Sequence, residues 1–266
     1  MFLFWRELAA NRRSLFVWAV SLAAFVVAFM AMYPGFSSDV EGLRNVIEQF
    51  PPAIKAAFNL GADTFLIAAG FYGYVLGFGV LAGAVQAMNL GTAAISQEIT
   101  GHTADFLLTK PISRTHVLTS KLLAALVVIG VTNVVFVAMS FVALASVAPD
   151  EFEATTIGLL ASTMVIVQLV FLALGLLMGV ALPKVKSVVA VSLPTVFGFY
   201  VVGALGDVLG TDEVRYSSPF RYFDPAYIIE NQAYEVRFLF IAAGIVVICV
   251  AASYLVFLTK DVRSTT

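Results

Sequence analysis

Side chains able to do covalent or acid–base chemistry are few in this 266-residue chain, and they do not cluster. His102 and His116 are its two histidines, and neither has a second His or a Cys at the short spacing a metal ion requires. Cys249, the single cysteine, lies inside an apolar run and has no partner for an internal disulfide. No Gly-Lys dipeptide occurs, so the loop by which P-loop enzymes cradle ATP phosphates is missing. A Gly-x-Ser-x-Gly nucleophile elbow is missing too. These gaps weigh against a membrane-embedded enzyme, and no metal or cofactor is expected on the chain itself.

The polar groups that do fall inside apolar stretches are amides. Gln86 and Asn89 sit three residues apart, so they share a helical face, and Asn133 and Gln168 lie in two later stretches. Two roles fit them. They could line a weakly polar pathway, or they could make hydrogen bonds between helices, each ordinarily contributing less than about 2 kcal/mol. The middles of the apolar stretches carry no Asp, Glu, Lys or Arg, the groups that mark ion and proton paths through membranes.

The elements that must hold these residues are membrane spans. The chain is 61% hydrophobic and 12% charged, against roughly 45–50% and about 25% for a soluble domain. A span takes about 20 apolar residues, and the sequence offers six such runs, at 14–33, 65–95, 117–147, 157–182, 188–209 and 238–258. The expected fold is an all-α polytopic membrane bundle forming one domain over 1–266. Ten Lys and Arg residues lie on the connections that share a side with both termini, and five on the opposite connections, 34–64 and 210–237 included. By the positive-inside rule both ends face the cytoplasm. A net charge of -2 and the absence of a longer basic run than Arg12-Arg13 argue against nucleic-acid binding.

Three connecting segments carry patterns of their own. Residues 1–13 place Trp5 and Leu8 on one face with charges elsewhere, which suits an interfacial helix. Val40, Leu43, Val46, Ile47 and Phe50 recur at helical spacing up to Pro51-Pro52, predicting a short amphipathic helix outside. Tyr216, Phe220, Tyr222, Phe223, Tyr227 and Tyr234 crowd the last outer loop and are expected at the headgroup level, as anchors for the bundle's outer end.

The most informative segment joins the second run to the third on the inner side, EITGHTADFLLTKPISRTHVLTSK from Glu98 to Lys121. Phe106, Leu107 and Leu108 give it an apolar surface before the break at Pro111. An apolar patch between two inner helix ends fits either a protein partner or the lipid surface.

Glu98, Thr103, Asp105, Leu107, Leu108, Pro111, Ile112, Ser113, Arg114 and Lys121 together resemble the cytoplasmic signature of ABC transporter permeases of the type-2 exporter class. The resemblance extends to the interfacial N-terminus, the six spans, the loop from Ser218 to Ile229 and the terminal Lys260-Asp261 pair. The chain departs from that pattern at His102, where the family has Gly before the Thr, with Gly101 one place earlier.

The resemblance implies that residues 98–114 form a coupling helix docking on a separate cytosolic P-loop ATPase. Glu98, Thr103, Asp105, Phe106, Leu107, Leu108, Pro111, Ser113 and Arg114 would make the contact. It also implies two ATPase copies carrying the ATP and Mg, a second permease chain, identical or homologous, and a multi-pass place in a prokaryotic plasma membrane. With uncharged span interiors, an amphipathic or hydrophobic substrate is expected. A stand-alone carrier or channel is the rival reading.

Overall fold

The computed structural model describes residues 2–37, 40–51, 54–55, 67–100, 113–151, 153–182, 185–209 and 212–259. Every regular element among them is helical: α1 (Phe2–Met30), α2 (Tyr33–Ser37), α3 (Val40–Gln49), α4 (Ala68–Thr100), α5 (Arg114–Val147), α6 (Ala154–Ala181), α7 (Val188–Leu209), α8 (Pro225–Asn231) and α9 (Val236–Thr259). Short 3-10 turns at Pro149–Glu151, Asp212–Ser217 and Pro219–Arg221 complete it. Six helices are long and apolar enough to cross a membrane: α1 running on into α2, then α4, α5, α6, α7 and α9. The chain is an all-α polytopic membrane protein.

Local sequence explains the helix limits. Residues 2–30 contain neither Gly nor Pro, so α1 continues without a break from the segment expected at the interface into the first span. α5 begins at Arg114, earlier than its apolar run, because Ser113 caps it: the Ser113 Oγ accepts a hydrogen bond from the His116 N–H at 3.2 Å. α4 has 33 residues and α5 has 34, about 50 Å each at 1.5 Å per residue, against roughly 30 Å of hydrocarbon. The excess of α4 carries the backbone of Glu98 helically to Thr100.

The centre of the bundle is the α4–α6 pair, with α9 and α5 also packed on α6, α7 on α4, and α1 lying chiefly along α5. Because lipid is as apolar as the side chains, close packing rather than escape from water must hold such helices together. Glycine provides it. A Cβ at Gly91 would lie 2.3 Å from the Leu172 carbonyl oxygen, one at Gly175 2.6 Å from the Met88 oxygen, and one at Gly179 2.6 Å from the Thr92 oxygen. Backbone meets backbone at all three positions, leaving no room for a side chain. Beyond this seam the buried core includes Phe71, Tyr72, Phe136, Ile157, Leu160, Met164 and Phe171.

The outer aromatic loop differs from its expected place among lipid headgroups. Tyr222, Phe223 and Ile228 are buried, and only Tyr216 of the named rings is largely exposed. Tyr222 stacks on Phe238 at 5.4 Å between ring centroids, and Phe220 leans on Phe171 at 5.1 Å. The rings turn inward because their polar tips find partners in the protein: the Tyr222 hydroxyl donates to the Tyr216 carbonyl at 3.0 Å and the Tyr234 hydroxyl to the Leu159 carbonyl at 2.6 Å. The segment is a packed lid on the bundle rather than a girdle. In α3, Ile47 is buried while Val46 and Phe50 are exposed.

The glycine seam yields a direct test. Gly91→Leu should abolish a monodisperse peak in fluorescence-detected size exclusion, since the atoms in the way are backbone and overpacking ordinarily costs about 1–3 kcal/mol even where side chains yield. Gly130→Ala in α5, with nothing within 4 Å of the added Cβ, should leave the peak and its thermal midpoint unchanged or slightly raised.

Candidate functional site

The segment 98–114 carries the expected partner contact. Thr103, Asp105, Phe106, Leu107, Leu108 and Pro111 lie outside the described residues, and of Glu98 the structure describes the backbone, near the end of α4. Ser113 and Arg114 are placed, and with them the way the segment is fastened to the bundle. The Arg114 Nη1 donates to the Phe257 carbonyl at 3.3 Å, close to the end of α9. One turn on, the Thr119 and Tyr254 hydroxyls share a hydrogen bond at 2.7 Å. Lys121 Nζ sits 3.1 Å from the Glu7 carboxylate of α1, with the lysine side chain only 6% exposed. The first two turns of α5 are therefore tied on one side to α9 and on the other to α1. Sequence reasoning missed the Glu7–Lys121 pair, although a signal existed: Glu7 is the one acid before Asp39, and it sits among arginines.

Deeper in the bundle the amides come together. The Gln86 Nε2 donates to the Thr132 hydroxyl at 3.0 Å, and the Gln168 Nε2 donates to the Gln86 Oε1 at 3.1 Å and to the Gly83 carbonyl at 3.3 Å. The Asn133 Nδ2 donates to the Gln168 Oε1 and to the Ile129 carbonyl. One network thus joins α4, α5 and α6, with Gln86, Thr132, Asn133 and Gln168 all buried. Asn89, expected beside Gln86, stands apart from it, and its buried Oδ1 has no partner. Higher up, the Tyr72 hydroxyl donates to the Ser140 Oγ at 3.0 Å, a second link between α4 and α5.

At the outer end a cavity of about 120 Å³ opens between α4, α6, α7 and the lid. Tyr74, Phe78, Tyr200, Phe220 and Phe223 line it together with Thr163 and Arg221. Burial lowers the affinity of the Arg221 guanidinium for its proton, while the nearby Asp224 and Tyr200 act in the opposite sense. None of the four amides lines this space.

Two further carboxylates organise the outer end. Glu151 accepts from the Tyr33 hydroxyl at 3.1 Å and from the Ala68 N–H at 2.8 Å, so an acid from the α5–α6 connection satisfies the positive end of α4. Glu235 takes Arg215 and Arg237, each at 2.6 Å, and both guanidinium groups lie within 5 Å of the Phe238 ring, at 4.6 and 4.8 Å from its centre. Burial pushes the Glu235 carboxyl up, yet the hydrogen bonds and charges of the two arginines outweigh it and hold the group below the usual carboxylate range.

Among the described residues no group of three or more His, Cys, Asp or Glu could hold a metal ion. What the geometry offers is mechanical: two helices longer than a bilayer requires on either side of residues 101–112, a braced start to α5, and a polar cross-link deep in the bundle. A family model described as ABC-2 family transporter protein matches residues 1–262. The chain belongs to the ABC-2 transporter family. Comparison with curated proteins returned no match. As an ABC-2 chain it is a permease, the membrane subunit of an ABC transporter, and its family implies association with an ATPase subunit.

Two measurements test the fastenings of this permease. Glu7→Gln should lower the thermal midpoint in detergent by an amount matching about 3–5 kcal/mol, the range for breaking a buried ion pair by removing one partner. The double variant Glu7→Gln/Lys121→Met should recover most of that loss, because it removes the buried cation too. At the outer end, the folded Glu235 carboxyl titrates below its unfolded value of about 4.3. Its stabilising contribution is full above the unfolded value and disappears as pH falls through the lower folded value. Wild type and Glu235→Gln should differ in thermal midpoint at neutral pH and converge in acid; a constant difference at every pH would show that the charge is irrelevant.

Proposed function

We propose that this permease is half of the membrane part of an ATP-driven exporter whose motion enters through residues 98–114. A separate cytosolic P-loop ATPase binds that segment, with Phe106, Leu107 and Leu108 as the apolar knob and Glu98, Asp105 and Arg114 as a charged rim that selects the partner and its register. Two ATPases and two permease chains make the assembly, ATP and Mg reside on the ATPases, and both permease termini face the cytoplasm of a prokaryotic cell.

The observation that carries this reading is the pair α4 and α5, each about 20 Å longer than the hydrocarbon needs. Two such helices, joined by a segment rich in apolar residues, give a soluble partner a grip. The braces on α5, from Arg114 to Phe257 and from Lys121 to Glu7, carry a pull on that segment into α9 and α1. The absence of a P-loop from the sequence requires the energy to come from elsewhere. Uncharged span interiors and the aromatic lining of the outer cavity favour an amphipathic or hydrophobic substrate over an ion. The amide network, whose N–H donors are taken up by its own members and by nearby carbonyls, acts as packing between α4, α5 and α6 rather than as a pathway wall.

Affinity purification of the tagged permease from its native membrane should capture a P-loop ATPase in equal amount. Phe106→Asp and Leu107→Asp should each reduce that capture at least tenfold while leaving permease yield unchanged. A wild-type preparation without ATPase, or capture indifferent to both substitutions, would refute the coupling role of the segment.

A further inference from the structure

Between α1 and α5 runs an outward-facing groove of about 720 Å³ whose walls are apolar except at one end, where Arg12 stands. Ala19, Ala23 and Ala24 form its α1 side, and Val131, Val135 and Met139 its α5 side. We propose that this groove seats an acyl chain of an anionic phospholipid whose phosphate pairs with Arg12.

Three features choose this occupant. First, the groove follows α1 from Arg12 to Val27, about 22 Å of helix, close to half of the 40–45 Å bilayer with its headgroups. One leaflet's lipid fits that length, on the side where the Lys- and Arg-rich ends gather. Second, Arg12 is exposed and has no acidic partner among the described residues, because the neighbouring Glu7 is taken by Lys121 at 3.1 Å and by Arg6 at 3.7 Å. A lipid phosphate supplies the missing anion through charge-assisted hydrogen bonds. Third, charge disfavours the obvious protein occupant. A second copy docking α1 against α1 about a two-fold axis normal to the membrane would bring Arg12 up to Arg12, a like-charge contact. A phosphate in the same place neutralises it.

The test uses the full-length chain, delipidated in detergent and titrated with phosphatidylglycerol or phosphatidylcholine, with bound lipid counted by native mass spectrometry. Phosphatidylglycerol should bind about tenfold more tightly, because phosphatidylcholine carries the same phosphate but sets its own choline cation beside it, against Arg12. Arg12→Gln should erase that preference, whereas Arg13→Gln, outside the groove, should keep it. Ala23→Phe, which fills the floor, should weaken both lipids; if that variant is not monodisperse, Met139→Trp fills the opposite wall and replaces it. Equal affinity for the two lipids, or equal loss from Arg12→Gln and Arg13→Gln, would overturn the site in favour of diffuse surface attraction. Disulfide-linked dimers from Ala24→Cys in a Cys249→Ser background, formed in native membranes, would overturn it in favour of a second copy.

Discussion

Contact between the backbones of α4 and α6 is the constraint on which the rest of this bundle depends. Inside a membrane an apolar side chain gains little by leaving lipid for protein, so cohesion must come from closeness. Gly91, Gly175 and Gly179 permit that closeness over about one turn of α4, Met88 to Thr92, and about two turns of α6, Leu172 to Gly179, and the buried core continues along the same two helices. Hydrogen bonds then fix what packing alone leaves free. The network of Gln86, Thr132, Asn133 and Gln168 sets the height of α5 against the α4–α6 pair, because each amide reaches its partners at one register only.

This arrangement separates the bundle into parts held by different forces. α4 and α6 interlock through main chain, which tolerates no sliding. α5 meets them through side chains, apolar ones such as Phe136 and a few hydrogen bonds, and meets α1 through broad apolar contact plus the Glu7–Lys121 pair. The segment from 98 to 114 therefore connects a helix of the interlocked pair to a helix fastened by exchangeable contacts. In the coupling proposed above, that junction is where relative movement between the two parts begins.

Much of this could be read from residue types. The six apolar runs became six spans because their lengths admit little else, whereas the Ser113 cap that starts α5 ahead of its apolar run went unread. The amide positions were legible too, but their convergence was not: Gln86, Asn133 and Gln168 lie on three helices, and helix rotation is set by packing that one-dimensional periodicity does not contain. The same limit hid Gly91, which belongs to no Gly-x-x-x-Gly pair, and the role of Glu151, which reads as a loop acid until Ala68 and Tyr33 are brought beside it. The aromatic lid was misjudged for a specific reason. Tyrosines with exposed hydroxyls and tyrosines satisfied by carbonyls have identical composition, and only the fold distinguishes them.

The carboxylate of Glu151 at the head of α4 has a consequence for leverage. It holds the Ala68 end of a helix about 50 Å long, so that tip serves as a fulcrum. A tilt of about 10° about that point sweeps the opposite tip, where Glu98 lies, through roughly 9 Å over such a length. The Thr100 tip is thus the long arm, and a broad, low-force displacement there becomes a short, forceful one beside the aromatic cavity.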